Sequence, residues 1–234
     1  MKLSIIIPCY NEQSTIKEII YKIENQSKID KEIIVVDDYS QDKTRDILKQ
    51  DLKDVIHKVV LNDQNYGKGY SIRKGIEHST GDYILIQDAD LEYNPSDYNK
   101  LLNPIINNMA DVVYGSRFIG NNERRVLYFW HTLGNKFLTL LSNMFSNLNL
   151  TDMEVGYKVF KSEVLKNIEL KENRFGFEPE VTAKIAKKNI RIFEVGIDYF
   201  GRKYSEGKKI TWKDGFSAIR CILKYNFFNS FYER

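Results

Sequence analysis

Tyr83-Ile84-Leu85-Ile86-Gln87-Asp88-Ala89-Asp90-Leu91-Glu92 is the stretch on which the reading of this chain turns. An apolar run ends in Asp-x-Asp. In an extended segment side chains alternate faces, so Asp88 and Asp90 project one way and Ala89 the other. Two carboxylates converging at the mouth of a buried strand repel each other unless a cation lies between them. A hard divalent ion with oxygen ligands, Mg²⁺ or Mn²⁺, fits there and leaves coordination positions for a diphosphate. Asp-x-Asp alone also describes a pair of solvated turn acids, so its surroundings decide.

On either side of it, short apolar runs alternate with amphipathic stretches. Residues 3–7, 32–36, 58–61, 83–87 and 111–114 read as strands, rich in β-branched residues and buried on both faces. Ile16, Ile19, Ile20 and Ile23 fall at helical spacing behind Ser14 or Thr15 as N-cap. Asp42 can cap a short helix through Leu48, and residues 69–78 can carry another. This rhythm predicts an α/β fold, with a mostly parallel sheet covered on both sides. Ligands in such sheets bind beyond the carboxyl ends of the strands, where the unusual polar clusters fall.

Three further clusters join Asp88-Ala89-Asp90. In Pro8-Cys9-Tyr10-Asn11-Glu12, Pro8 ends the strand, Tyr10 can stack on a base and Glu12 can accept from it. Asp37-Asp38 is a buried acid pair that needs donors, which a ribose diol or a base N–H supplies. Ser40 and Asp42 are read as helix caps. Asn65-Tyr66-Gly67-Lys68-Gly69 permits close backbone approach to a ligand, with Lys68 near phosphate or near the acids.

Taken together, the four clusters resemble the pattern of family 2 glycosyltransferases with the GT-A fold. More narrowly, the chain resembles dolichyl- and polyprenyl-phosphate hexose (mannose) synthases along nearly its whole length. The second half carries that narrower likeness in Gly115-Ser116-Arg117, Thr151-Asp152-Met153-Glu154-Val155-Gly156-Tyr157-Lys158-Val159-Phe160, Phe175-Gly176-Phe177-Glu178-Pro179-Glu180, and Gly201-Arg202 through Gly207-Lys208-Lys209. The resemblance implies Asp88 and Asp90 as metal ligands with Glu92 possible, although the lipid-phosphate mannose synthases usually have Gln in place of Glu92. It implies Pro8, Tyr10, Glu12, Asp37, Lys68 and Asp88 around the donor. Arg202, Lys208 and Lys209 would lie on a mobile basic loop that closes on the diphosphate. Arg117, with Arg124 or Arg125, would grip an acceptor phosphate in a guanidinium fork, Arg124-Arg125 being equally readable as a solvated pair. Asp90, Arg117 and Arg202 are the expected catalytic residues, and inversion at the anomeric carbon is implied.

A phosphate monoester, with a second pKa near about 6, is already a nucleophile at neutral pH, whereas a sugar hydroxyl needs a carboxylate base. An Arg-rich acceptor site therefore favours a polyprenyl phosphate over a glycan or protein hydroxyl, for which Glu178 or Asp152 would be the bases to inspect. A non-catalytic nucleotide-sugar-binding subunit is the reading from another class. A nucleotidyltransferase would want a Gly-rich, Arg-containing loop where this chain has Pro8-Cys9-Tyr10.

Composition agrees with one continuous domain: 234 residues, 42% hydrophobic and 29% charged, divided into a nucleotide-sugar half over 1–115 and an acceptor half over 116–234. A net charge of +3 is too small to argue for nucleic acid. Two cysteines, Cys9 and Cys221, give no disulfide framework and point to a reducing compartment. The run 3–7 stops at Pro8, too short for a signal-peptide core, and no apolar run is long enough to cross a bilayer. The expected location is the cytoplasm, peripheral at the membrane.

The second half is expected to add strands over 155–160 and 191–195, a helix over 179–188 and a closing aromatic helix over 212–232. Residues 126–148 hold Lys136 as their only basic residue and no acid, with Leu127, Phe129, Trp130, Leu133, Phe137, Leu138, Leu141 and Met144. They suit an interfacial helix or packing on the sheet, and packing is preferred for most of these side chains. Aromatics interleaved with Arg220 and Lys224 near the C-terminus suit a membrane surface, a small membrane-anchoring partner, or a helix docked inward.

Overall fold

The computed structural model describes residues 1–26, 28–120, 125–126, 128–203, 206–207 and 212–227. Its strands are β1 (Leu3–Cys9), β2 (Lys31–Asp37), β3 (Lys58–Leu61), β4 (Tyr83–Ile86), β5 (Val112–Ser116), β6 (Lys158–Lys161) and β7 (Ile192–Gly196). Its helices are α1 (Ile16–Glu24), α2 (Thr44–Gln50), α3 (Lys68–His78), α4 (Tyr98–Ile106), α5 (Phe129–Ser146), α6 (Ser162–Lys166), α7 (Phe177–Ile185) and α8 (Trp212–Phe227).

Among the described residues the strands form one sheet in the order β3-β2-β1-β4-β6-β5-β7. Pairing is parallel except around β6, which runs antiparallel to both β4 and β5. The carboxyl ends of β1, β2, β3, β4, β5 and β7 therefore share one edge of the sheet, and β6 begins at that edge. This arrangement gathers loops from distant parts of the sequence above a single rim.

Local sequence accounts for most of the elements. Ile5, Ile6 and Ile7 are fully buried, as a strand covered on both faces requires. Ile16, Ile19, Ile20 and Ile23 bury one stripe of α1. Thr15 does occupy the N-cap position, but its hydroxyl serves the Glu12 carboxylate and the Ala89 carbonyl instead of the helix. Helix α3 packs against β1 and β2 so closely that a Cβ on Gly75 would collide with Ile6 Cγ2.

Three boundaries differ from expectation for identifiable reasons. The strand expected over 155–160 shrinks to β6 because residues 152–156 turn into the site, where the Asp152 carboxylate takes Arg117 and the Gly156 N–H donates to the Tyr93 hydroxyl. Helix α7 starts two residues before Pro179, which sits in the first turn where N–H groups lack helical partners anyway. Pro8 does not end its strand; β1 continues to Cys9, with Pro8 opposite Val36. Residues 228–232 of the expected closing helix lie outside the described residues.

Candidate active site

Lys68 opens α3 behind Gly67, whose φ of 105° lies in the left-handed region that glycine tolerates. Its Nζ lies 2.8 Å from Asp88 Oδ1 and 3.1 Å from Glu178 Oε1. Burial opposes its charge, yet the two carboxylates outweigh burial and hold its pKa above the usual lysine value. Gly156 lies against Asp88 on another side: a Cβ there would fall 2.6 Å from Asp88 Oδ2.

Asp90 is met by a different cation. Arg202 NH2 donates to Asp90 Oδ2 at 2.6 Å, and its NH1 donates to both Glu12 oxygens at 3.3 and 3.2 Å. The backbone N–H of Arg202 donates to Glu92 Oε1 at 2.7 Å, while Tyr199 OH donates to Glu92 Oε2 at 3.0 Å. Arg202 Nε stays 3.6 Å from Glu92 Oε1, buried and without a hydrogen bond. Burial, then the charges of Asp88 and Glu92, push the Asp90 carboxyl up to about 7 against the pull of Arg202. The cation that the paired acids call for is thus supplied twice by the protein, by Lys68 for Asp88 and by Arg202 for Asp90. Among the described residues no group of three or more His, Cys, Asp or Glu side chains is arranged to hold a metal. Asp88 and Asp90 remain a two-carboxylate donor set, the kind a hard cation shares with waters and phosphate oxygens.

The second acid pair differs from expectation, because most of its donors are internal. Asp38 accepts from Asn62 Nδ2 and from the N–H groups of Tyr66 and Gly67 at 2.9, 2.9 and 2.7 Å, so it ties down the Lys68 turn. Asp37 Oδ2 accepts from Arg45 Nε at 2.5 Å and from the Ser40 N–H at 3.1 Å. Asp37 Oδ1 is buried without a partner, an acceptor available to a ligand N–H or O–H. Asp42 does not cap α2: Lys43 holds the N-cap position, and Asp42 Oδ1 accepts from the Thr44 N–H at 2.9 Å two residues on, an Asx turn leading into the helix. Ser40 instead crosses to the Asn11 N–H at 2.9 Å. Tyr10 is half-buried on the same rim.

On the β5 side, Asp152 clasps Arg117 through Nε and NH2, each at 2.7 Å, and through the Arg117 backbone N–H at 3.0 Å. The guanidinium lies 5.2 Å from the centre of the Tyr199 ring. Burial works against this charge, but Asp152 keeps the pKa well above the ordinary arginine value. Arg125 is placed differently: its guanidinium pairs with Glu206 at 2.8 Å and reaches the Gly201 carbonyl, bracing the segment that carries Arg202. Arg124, Lys208 and Lys209 lie outside the described residues.

Two residues between these groups were not singled out for the site by sequence reasoning. Glu154 Oε1 is buried without a partner, and burial, then the Glu178 charge, push its carboxyl up to about 8. Lys158 is fully buried in β6, donating to the carbonyls of Met153 and Val155, and burial draws its pKa down to about 8. Their signal was present as a lone lysine and a lone acid in an otherwise apolar run.

Beside the rim, α5 and α8 leave much apolar surface uncovered. Phe129, Trp130, Leu133, Phe137 and Met144 are exposed, and Leu138 is the only buried one of the described residues named for this stretch, Leu127 lying outside them. Packing on the sheet therefore accounts for few of them. Trp212 and Phe216 face a cavity of about 210 Å³ shared with Gly134 and Phe137. No helix among the described residues is long and apolar enough to cross a membrane.

Known proteins agree with this architecture. A dolichol-phosphate mannosyltransferase of Pyrococcus furiosus is 28% identical over 96% of this chain, which spans 63% of that protein. The low-salt glycan biosynthesis hexosyltransferase Agl6 of Haloferax volcanii is 28% identical over 94% of the chain, which spans 53% of it. Glucosyl-3-phosphoglycerate synthase from Mycobacterium tuberculosis, in complex with Mn²⁺, UDP and phosphoglyceric acid, superposes with a TM-score of 0.76 at 18% identity, covering 97% of this chain and 78% of that one. Residues 4–169, more than half of the sequence, match the family described as glycosyl transferase family 2. The chain belongs to that family and has the GT-A fold.

Proposed function

We propose that the chain is an inverting, divalent-metal-dependent hexosyltransferase that moves a hexose from a GDP-mannose- or UDP-glucose-type donor to a polyprenyl phosphate. The observation that carries the acceptor is the state of the carboxylates. Asp152 is clasped by Arg117 and Glu178 is held by Lys68, so neither is free to take a proton from a hydroxyl. A phosphate monoester, with its second pKa near about 6, needs no base at neutral pH and has only to be held in place. The name of the Pyrococcus furiosus relative, a dolichol-phosphate mannosyltransferase, points to the same acceptor class.

Asp88 and Asp90 would hold the ion, with Glu92 beside them, and the ion, when bound, would supply positive charge to the departing nucleoside diphosphate. A neighbour of the same fold binds Mn²⁺ and UDP together. Asp37, through its free Oδ1, and Glu12 would face the nucleoside. Arg202 would leave the acids and turn toward the diphosphate, joined by Lys208 and Lys209. Arg117 would orient the acceptor phosphate: Asp152 uses Nε and one terminal nitrogen and leaves the other terminal nitrogen unclaimed by that pair. A phosphate oxygen attacks the anomeric carbon, the bond from that carbon to the diphosphate oxygen breaks, and its electron pair leaves with the nucleoside diphosphate. Attack opposite the leaving group inverts the centre. The exposed aromatics of α5 and α8 would rest on the bilayer interface in which the acceptor lies.

Glu154 favours a second reading. A buried carboxylate with a raised pKa and a free oxygen is what a hydroxyl acceptor would use as a base. Purified protein incubated with Mn²⁺, labelled nucleotide sugars and polyprenyl phosphate, then extracted into organic solvent, separates the two. Label in the organic phase, retained by Glu154→Gln, is the expected result. No organic-phase label with any common donor would overturn the lipid acceptor.

A further inference from the structure

A cavity of about 400 Å³ opens between residues 171–176 and α8. Lys171, Arg174, Arg220 and Lys224 line it, with Glu172 as its one carboxylate. Glu172 pairs with Arg220 at 2.5 Å and Lys224 at 2.9 Å and also accepts from Tyr225 OH, and despite burial these partners bring its pKa to about 2. A single carboxylate cannot balance four cations. Among the described residues Lys171 has only Glu169, itself 79% exposed, at 3.2 Å, a solvent-screened pair. Arg174 forms no ion pair among the described residues. The lining thus carries three positive charges in excess, as many as the formal net charge of the entire chain.

Supporting Glu172 would take only Arg220 and Lys224, so Lys171 and Arg174 are unexplained by internal structure. The wall is also fixed in advance. Arg73 donates to the Glu172 carbonyl and to Asn173 Oδ1, Tyr70 N–H donates to the Asn173 carbonyl at 3.0 Å, and the buried Glu180 takes the N–H groups of Lys171 and Glu172 at 2.7 Å each. A preformed basic concavity binds an anion without paying to order its own backbone. The same wall presses on the Lys68 turn: a Cβ on Gly67 would lie 2.5 Å from the Asn173 carbonyl oxygen.

We propose that this cavity is an anion site, separate from the donor and acceptor positions, for a doubly charged phosphate group, carried either by a lipid headgroup or by a soluble phosphomonoester. Arginine and lysine together suit such a group through charge-assisted hydrogen bonds. The proposal stands apart from the acceptor assignment, since neither Arg117 nor Asp88 takes part in it.

The test uses the full chain in metal-free buffer, comparing wild type with Arg174→Gln and Arg220→Gln. One arm titrates inorganic phosphate by calorimetry; the other measures co-flotation with phosphatidylcholine vesicles with and without phosphatidic acid. Arg174→Gln breaks no ion pair, so its thermal midpoint should match wild type while its affinity falls about tenfold. Loss in the phosphate arm assigns a soluble phosphomonoester, and loss confined to the vesicles containing phosphatidic acid assigns the headgroup. Equal binding by wild type and Arg174→Gln in both arms, or no binding by wild type in either, overturns the site.

Discussion

Asp90 bears the sharpest conflict at the residue scale, a buried carboxylate beside two other acids with one guanidinium to offset them. Asp90→Asn should abolish transfer while leaving the thermal midpoint unchanged or raised, because it relieves repulsion in the ligand-free site. A destabilised but active variant would contradict the assigned role. Arg202→Ala should tighten Mn²⁺ binding by the nucleotide-free protein, read by loss of the free-ion EPR signal, since a resident cation no longer competes; unchanged binding would show that Arg202 does not guard the acids. Asp88 and Asp90 were legible because an acidic pair closing a buried run is conspicuous. The guanidinium that meets Asp90 lies 112 residues away in sequence, and only the family likeness brought it near the site. For Asp37 and Asp38 the reading credited a ligand with donors that Arg45, Asn62 and three backbone N–H groups supply, pairings that exist only once the loops are folded together.

Elements were easier to read than their surroundings. All seven strands were expected within a few residues of their place, because apolar runs between breakers carry that information locally. The antiparallel insertion of β6 between β4 and β5 was not legible, since strand order depends on long-range pairing. Close contact of α3 with β1 leaves no room at Gly75, so Gly75→Ala should destabilise by about 1–3 kcal/mol in urea unfolding, as overpacked cores do. A cost near zero would mean that helix and sheet are less tightly apposed. Helix α5 could not be oriented from sequence, because an interfacial face and a core face share one composition. Replacing Phe129 and Trp130 with Ser should reduce vesicle partitioning and shift stability by no more than about 0.5 kcal/mol, the range for exposed positions. A large stability loss would place those rings inward.

Across the whole molecule, chemistry gathers at one rim of the sheet while Glu32 secures the other. Glu32 accepts from Ser4 Oγ, the Thr80 N–H and Thr80 Oγ1 and pairs with Lys2 at 2.6 Å. Burial alone would raise its pKa; those partners outweigh burial and lower it from 4.5 to about 2. A depressed carboxyl stabilises the fold above its unfolded pKa, so this contribution is present above pH 4.5 and is lost as pH falls toward about 2. Glu32→Gln should flatten that limb of the stability profile; an unaltered limb would assign acid lability elsewhere. The central claim, that Asp88 and Asp90 share a cation with a nucleoside diphosphate, is tested most directly by calorimetric titration of UDP and of GDP with and without Mn²⁺. The account predicts that one of them binds much more tightly with Mn²⁺ and that Asp90→Asn removes the difference. Affinities indifferent to the ion for both nucleotides would contradict it.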